Sequence, residues 1–298
     1  MTQSVIVMER FTKHYGDRTA VEELSLQVPA GSVFGFLGQN GAGKTTTIRA
    51  LLNLIRPTSG RLSVVGLDSV SDSVALRRRV GYLPEQPEYY PWMSVDEILR
   101  FNASFYPSWD RDLEKRLVDQ LGLPRERKLR ELSRGMQAKV GLVLSLGSRP
   151  DVLILDDPTS GLDAVVRREF LEAMIANVHA EGGTVFFSTQ LLHEVERVAD
   201  EVAVLHEGRL RLRSNLEELK ATYKRLRAVY PDQIPESFPV PGLVRAERNA
   251  HYALLTVEGF TPDLPARLAE NGAAAVEVLD LSLEEIFIEV VKGAPTHA

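Results

Sequence analysis

Gly38-Gln39-Asn40-Gly41-Ala42-Gly43-Lys44-Thr45 follows the apolar run Val33–Leu37 and opens a helical pattern over Thr45–Ile55. No other feature limits the possible folds as sharply. Strand, glycine-rich turn and helix in that order make a phosphate-binding loop. The glycines let backbone N–H groups close on phosphate oxygens, and the helix N-terminus adds free donors and partial positive charge. Lys44 is spaced to reach β- and γ-phosphates, the Thr45 hydroxyl to ligate Mg²⁺, and Thr46 continues the same first turn. The alternative is a glycine-rich turn with no ligand, and the full spacing with its strand and helix stands against it. Alone, the loop indicates a nucleoside triphosphate and nothing finer.

Around it, short β-rich runs alternate with longer helical patterns. Val5–Val7, Leu24–Val28, Val33–Leu37, Arg61–Val65 and Val80–Leu83 read as strands. Helical stretches at Val95–Phe105, Asp110–Leu121 and Gly135–Leu146 interrupt the alternation, which resumes with strand Val152–Leu155, helix Ala164–Ala180, strand Thr184–Phe187, helix Leu191–Val198 and strand Glu201–Leu205. Such alternation predicts an α/β sheet with parallel crossovers, and the interruption predicts an inserted helical subdomain at about residues 86–147. A boundary is expected near Ser214, dividing residues 1–213 from a small α+β domain at 214–298. That domain reads as helix Leu216–Arg225, a Pro-rich stretch from Pro231 to Pro241, alternating segments Leu243–Arg248 and His251–Val257, helix Leu264–Asn271 ending at Gly272, strand Ala275–Leu279 and helix Leu283–Val291.

Composition narrows the setting. With 298 residues and 44% hydrophobic content, the chain can bury a core in one large or two medium domains. Its charge of 35 − 41 = −6 gives no sign of nucleic acid as the main partner. The absence of cysteine excludes disulfides and thiolate metal sites. No signal peptide is visible at Met1-Thr2-Gln3-Ser4, and no apolar stretch approaches the about 20 residues that span a bilayer. A cytoplasmic chain, held at a membrane only by something else, is the expectation.

A second site of charge follows Val152–Leu155, at Asp156 and Asp157. On a strand beside the phosphate-loop strand, the first acid would hold Mg²⁺ through water and the second would face the attacking water. A buried strand that simply ends in a polar turn is the ordinary alternative. Upstream lies Leu132-Ser133-Arg134-Gly135-Met136-Gln137, and downstream Pro158-Thr159-Ser160-Gly161-Leu162-Asp163.

With these motifs in this order, residues 4–212 resemble the ABC ATPase family. The resemblance implies an ABC-type P-loop NTPase fold that binds ATP and Mg²⁺ at a dimer interface. It implies that Tyr15 stacks on adenine, that Gly38–Thr45 is the Walker A loop, and that Glu85 stands in the Q-loop position. Ser133-Arg134-Gly135 stands in for the signature, Asp156 for the Walker B aspartate and Asp157 for the catalytic glutamate. Ser160–Asp163 forms the D-loop, and Gln190 occupies the switch-histidine position. In that family two subunits meet head to tail, so Ser133 and Gly135 would aim donors at the partner's nucleotide. Ser133 can equally be a simple N-cap, and Tyr15 a structural ring.

Four positions depart from the family. Glu85 replaces glutamine but as a carboxylate would serve as a Mg²⁺ ligand beside Thr45 and Asp156, Asp157 is one methylene shorter than glutamate, and Met136 stands where glycine is commoner. Gln190 can donate to a phosphate or orient water but cannot take up a proton. A catalytic group displaced by about 1 Å can cost on the order of 10²-fold in rate, so slow hydrolysis is expected. His193 reads as a surface histidine.

The resemblance also implies partners. Tyr89, Tyr90, Pro91, Trp92 and Met93 follow the Glu85–Gln86 loop, and this region docks on an integral membrane permease in the family; they can also be the insert's own core. Arg77–Arg79 and Arg125–Arg130 read as solvated faces or lipid-headgroup contacts. The likeness is greatest to ATP subunits of bacterial exporters, including those linked to antibiotic resistance, whose C-terminal extension ends as Leu281–Phe287 does here. A homodimer, or a heterodimer with a second ABC ATPase, is implied, peripheral to the cytoplasmic face of the membrane. Two rivals stay open. A soluble ABC ATPase acting on DNA or the ribosome would carry a long coiled coil or a second ATPase unit, whereas Lys44 to Asp156 is 156 − 44 = 112 residues without a heptad run. A nucleotide-binding switch that barely hydrolyses is the other.

Overall fold

The computed structural model describes residues 3–179, 182–231 and 233–292. The chain runs β1 (Ser4–Tyr15), β2 (Arg18–Pro29), β3 (Val33–Leu37), α1 (Lys44–Leu51), β4 (Ser59–Val64), β5 (Leu67–Asp68), α2 (Ser73–Arg79) and β6 (Val80–Leu83). Helices α3 (Val95–Ala103), α4 (Arg111–Gln120) and α5 (Arg134–Leu146) follow. Then come β7 (Val152–Asp156), α6 (Ala164–His179), β8 (Thr184–Thr189), α7 (Leu192–Val198), β9 (Glu201–His206) and β10 (Arg209–Asn215). The rest is α8 (Leu216–Thr222), β11 (Lys224–Val229), β12 (Leu243–Arg248), β13 (Tyr252–Val257), α9 (Leu264–Glu270), β14 (Ala275–Asp280) and α10 (Leu283–Lys292).

Contacts group these elements into two compact units, Met1–Leu191 with Val198–Leu210, and Leu192–Arg197 with Arg211–Ala298. The first is built on a parallel sheet of order β9-β3-β8-β7-β6 and an antiparallel sheet of order β2-β1-β4-β5. Every residue of β3, β7 and β8 is buried. That is why these strands read as unbroken apolar runs rather than alternations: parallel strands covered on both faces have no wet side. Phe186 of β8 centres the core, with ring centroids 5.8 Å from Phe34 and 5.2 Å from Phe36.

The three inserted helices start where their sequences stop them fraying. Ser94 and Glu97 form a reciprocal capping box on α3, and Asp110 accepts the amides of Asp112 and Leu113 at 2.8 Å on α4. Each such cap stabilises its helix by about 1 kcal/mol.

The second unit carries an antiparallel sheet of order β12-β13-β11-β14. Leu226, Ala228, Ala253, Leu255 and Val257 point from one face into a core with Leu264 and Leu268 of α9.

Several element expectations change. β1 and β2 are 12 residues each, far longer than Val5–Val7 and Leu24–Val28. Register shifts, with Arg10 at φ 48° and Glu23 at φ 46°, break the alternation that would have revealed their length. The helix read over Leu216–Arg225 stops at Thr222, because Leu226 and Ala228 alternate as the buried face of β11. β5, α2 and β10 are additions. Ala180, the predicted end of α6, lies outside the described residues.

Candidate functional site

The parallel sheet brings its chemistry to one edge. β3 ends at Leu37, the loop turns through Gly43, and α1 begins at Lys44. Gly43 has φ 108°, and a Cβ there would lie 2.6 Å from the Ala20 carbonyl oxygen and 2.9 Å from Val21 Cγ2. Only glycine fits. No side chain caps α1 and its first turn holds no acid, so its amide donors remain for an anionic ligand.

Lys44 is buried, its Nζ donating to the carbonyls of Gly38 at 2.6 Å and Gln39 at 3.1 Å. Burial pushes the ammonium pKa down, while Asp157, Asp156 and Glu85 pull it back. Asp156, at the end of β7, accepts the Thr45 hydroxyl at 3.1 Å and the Ser188 hydroxyl at 2.7 Å. Ser188 stands there because β7 and β8 pair in parallel with Asp156 opposite it. The Asp157 amide donates to the Ser188 carbonyl at 3.0 Å, and Asp157 itself is buried with φ 45°. A non-glycine residue held in that region costs about 1–3 kcal/mol, and such strain gathers at functional positions.

Gly43, Lys44, Thr45, Asp156 and Asp157 line a cleft of about 530 Å³. Of the expected site, Tyr15, Asn40, Gly41, Gly43, Lys44, Thr45, Thr46, Glu85, Asp156 and Asp157 meet there. Gly38 and Ala42 support the loop without lining the cleft. Tyr15 is exposed, with Lys13 Nζ 5.0 Å from its ring centroid.

Arg18 and Ala20 also line the cleft, and neither is evident from sequence. A Cβ on Gly41 would lie 3.9 Å from Arg18 Nη2, which puts the guanidinium beside the phosphate loop. The signal for both was their place just after Tyr15, across the β1–β2 turn. Ser188 was likewise missed; its signal was the Ser-Thr pair ending an apolar strand.

Besides Gly38 and Ala42, three expected residues do not join the cleft lining. Ser133 is exposed and caps α5, its hydroxyl accepting the Met136 amide at 3.3 Å. Gly135 meets α6, where a Cβ would lie 2.8 Å from Val166 Cγ1. Gln190 is exposed at the bend after β8. A second cleft of about 500 Å³ is lined by Gln86, Arg134, Gln137 and Ser160, and Glu85 lines both.

The donor set suits a hard divalent cation. Thr45 and Asp156 offer oxygens within 3.1 Å of each other, and Mg²⁺ commonly takes one or two protein oxygens plus substrate phosphates. Among the described residues no cluster of three or more His, Cys, Asp or Glu forms a cation cage.

Beyond the Glu85–Gln86 loop, Trp92, Tyr90, Phe101 and Phe105 form a chain of rings with successive centroids 5.2, 5.7 and 5.1 Å apart. All four are exposed, Trp92 by 60% and Phe105 by 59%. Tyr89 is different: its hydroxyl donates to the Gln137 carbonyl at 3.0 Å, and burial holds its pKa far above the ordinary phenol value. Trp92 and Tyr90 are therefore not the insert's own core, whereas Tyr89 packs into it. The basic clusters are partly paired: Arg79 grips Asp151 at 2.8 and 2.9 Å, and Arg125 reaches Asp96 and Glu114. Among the described residues no helix is long and apolar enough to cross a membrane.

Comparison with known proteins agrees with this geometry. The family model described as ABC transporter matches residues 21–160. The chain is 31% identical to the bacitracin transport ATP-binding protein BcrA of Bacillus licheniformis, over 97% of this chain and 98% of that one. It is 33% identical to the daunorubicin resistance ATP-binding protein DrrA3 of Streptomyces coeruleorubidus, over 90% and 83%. A solved ATP-binding subunit of an ABC transporter superposes with a TM-score of 0.67 at 28% identity, covering 73% of this chain and 92% of that one.

Proposed function

The chain belongs to the ABC transporter ATP-binding family, and from that premise we propose that its cleft binds MgATP between two cassettes and hydrolyses it to drive a membrane permease. The observation that carries this reading is the Thr45–Asp156–Ser188 bracket, whose Thr45 and Asp156 line one cleft with buried Lys44.

The roles follow from chemistry and position. Tyr15 offers a ring face to the adenine. The amides of residues 40–46 and the Lys44 ammonium hold the phosphates. Thr45 and Asp156 would hold Mg²⁺, with Glu85 at the cleft wall; bound there, the ion neutralises charge on the transferring phosphoryl group. Asp157 orients the attacking water and takes its proton. Gln190 donates to the γ-phosphate once the segment after β8 brings it in.

One cassette leaves the nucleotide half covered. Ser133 and Gly135 open α5 outside the cleft, where a second cassette would take them against its own nucleotide. The ring chain from Trp92 to Phe105 is the patch we assign to the permease, since clustered exposed aromatic surface marks interaction sites. Residues 1–213 form the ATPase domain and 214–298 an accessory domain, working at the cytoplasmic face of the membrane. The bacitracin and daunorubicin relatives support export.

Steady-state MgATP hydrolysis by the purified chain, beside Lys44→Ala, tests this. Turnover well above the variant supports a motor for which a homodimer suffices. Turnover equal to the variant sinks hydrolysis by this chain alone and leaves a required partner ATPase or a binding switch.

A further inference from the structure

Tyr15 and Arg18 close the β1–β2 hairpin as directly opposed partners, joined only by Gly16 and Asp17. Opposed residues on antiparallel strands send their side chains to the same face. Both line the nucleotide cleft. The Arg18 guanidinium stands beside the phosphate loop, where a Cβ on Gly41 would lie 3.9 Å from its Nη2. The hairpin end thus carries an aromatic ring and, next to it, a cation that reaches the loop.

That cation is uncommitted. The Arg18 side chain is exposed and makes no hydrogen bond or ion pair among the described residues. Lys44, the other cation of the cleft, already donates to the carbonyls of Gly38 and Gln39. Against these two cations the lining sets three carboxylates, Glu85, Asp156 and Asp157. Without Arg18 a single cation would face all three, and the cleft would repel the polyphosphate it has to hold. A guanidinium also suits the task, since its planar fork of donors matches phosphate oxygens.

We infer that Arg18 is a specificity-determining residue that binds the phosphate chain of the nucleotide, so that the cleft ranks adenine nucleotides by their number of phosphates. Resting on the MgATP reading of this cleft, that role adds to the site a residue from outside the phosphate loop.

The test measures affinities for MgATP, MgADP and AMP, by displacement of a fluorescent ATP analogue, in full-length wild type, Arg18→Ala, Arg18→Gln and Arg18→Lys. Arg18→Ala is expected to weaken MgATP about tenfold, the size of one hydrogen bond to a charged group, with MgADP affected less and AMP least. Arg18→Gln should match Arg18→Ala, and Arg18→Lys, which keeps the charge, should recover part of the loss. Added salt should weaken MgATP more steeply in wild type than in Arg18→Ala. Equal weakening of all three nucleotides overturns the inference, because it marks a lost hairpin shape rather than a lost phosphate contact. So does wild-type MgATP affinity in Arg18→Ala. If wild type binds MgATP no more tightly than Lys44→Ala, the MgATP reading has itself failed and the role of Arg18 falls with it.

Discussion

Two of the sheets, the parallel one and that of the second unit, handle charge in opposite ways. In the parallel sheet, β7 and β8 are buried along their whole length, and the charged groups stand only where β7 ends, at Asp156 and Asp157, beside Ser188 and Thr189 at the end of β8. In the antiparallel sheet of the second unit, charged residues lie along the strands and pair sideways: Lys224 with Asp280 at 2.6 Å, Arg227 with Glu277 at 3.8 Å. A parallel sheet needs crossover helices, so all its strands finish at the same edge and unlike residues from distant sequence converge there. A hairpin sheet alternates strand direction and scatters its ends. The first architecture concentrates chemistry, and the second distributes stabilising contacts.

Core deletion gives the largest expected effects and tests whether the two sheets are separable. Phe186→Ala should cost about 3–5 kcal/mol and Leu255→Ala about 2–5 kcal/mol in denaturant unfolding, since both are fully buried. Nucleotide affinity of the folded protein should fall in the first and hold in the second. Equal loss of affinity in both would break the contrast.

Next in size is chemistry at the strand end. Asp157→Glu restores the methylene that the family carries, and turnover should rise about tenfold, or about 1.4 kcal/mol in barrier, in phosphate-release kinetics. A fall instead would mean that buried Asp157, with its φ of 45°, fits its pocket better than the longer acid.

Ser133→Ala should cost about 1 kcal/mol of stability through the lost α5 cap. MgATP affinity measured at low and at high protein concentration separates the two jobs of this residue. Weakening confined to the dimeric regime means that Ser133 also serves a partner's nucleotide; equal affinity in both leaves it a cap alone.

The smallest effect concerns acid. Arg79 holds the Asp151 carboxyl below its ordinary range. That depressed pKa contributes stability present above the unfolded carboxylate value and lost as pH falls through the folded one. Thermal melts from neutral pH to about pH 3 should show a shallower acid decline in Asp151→Asn than in wild type.

Much of the nucleotide site was legible because it is local. Gly38–Thr45 is one turn of chain, and its spacing carries its geometry. The Asp156–Asp157 pair was legible because an apolar strand ends in it. Arg18 and Ala20 were not, since only the β1–β2 pairing carries them to the cleft, and Ser188 was not, since it meets Asp156 only through the β7–β8 pairing of strands distant in sequence. β1 and β2 were underread because their bulges hide the alternation. β11 was read as the tail of a helix because Leu226 and Ala228 are too few to declare a period of two.

By itself the sequence determined the phosphate loop, the acid pair, the parallel α/β plan and the family. These depend on spacing along the chain and on which residues are apolar, and both are written in order. Only the tertiary structure decided that Ser188 braces Asp156, that Gln190 stands outside the cleft, and that Glu196 ties α7 to α8 and α10. Such contacts join residues separated by tens of positions, and their distances follow from how whole elements pack, which no local pattern encodes.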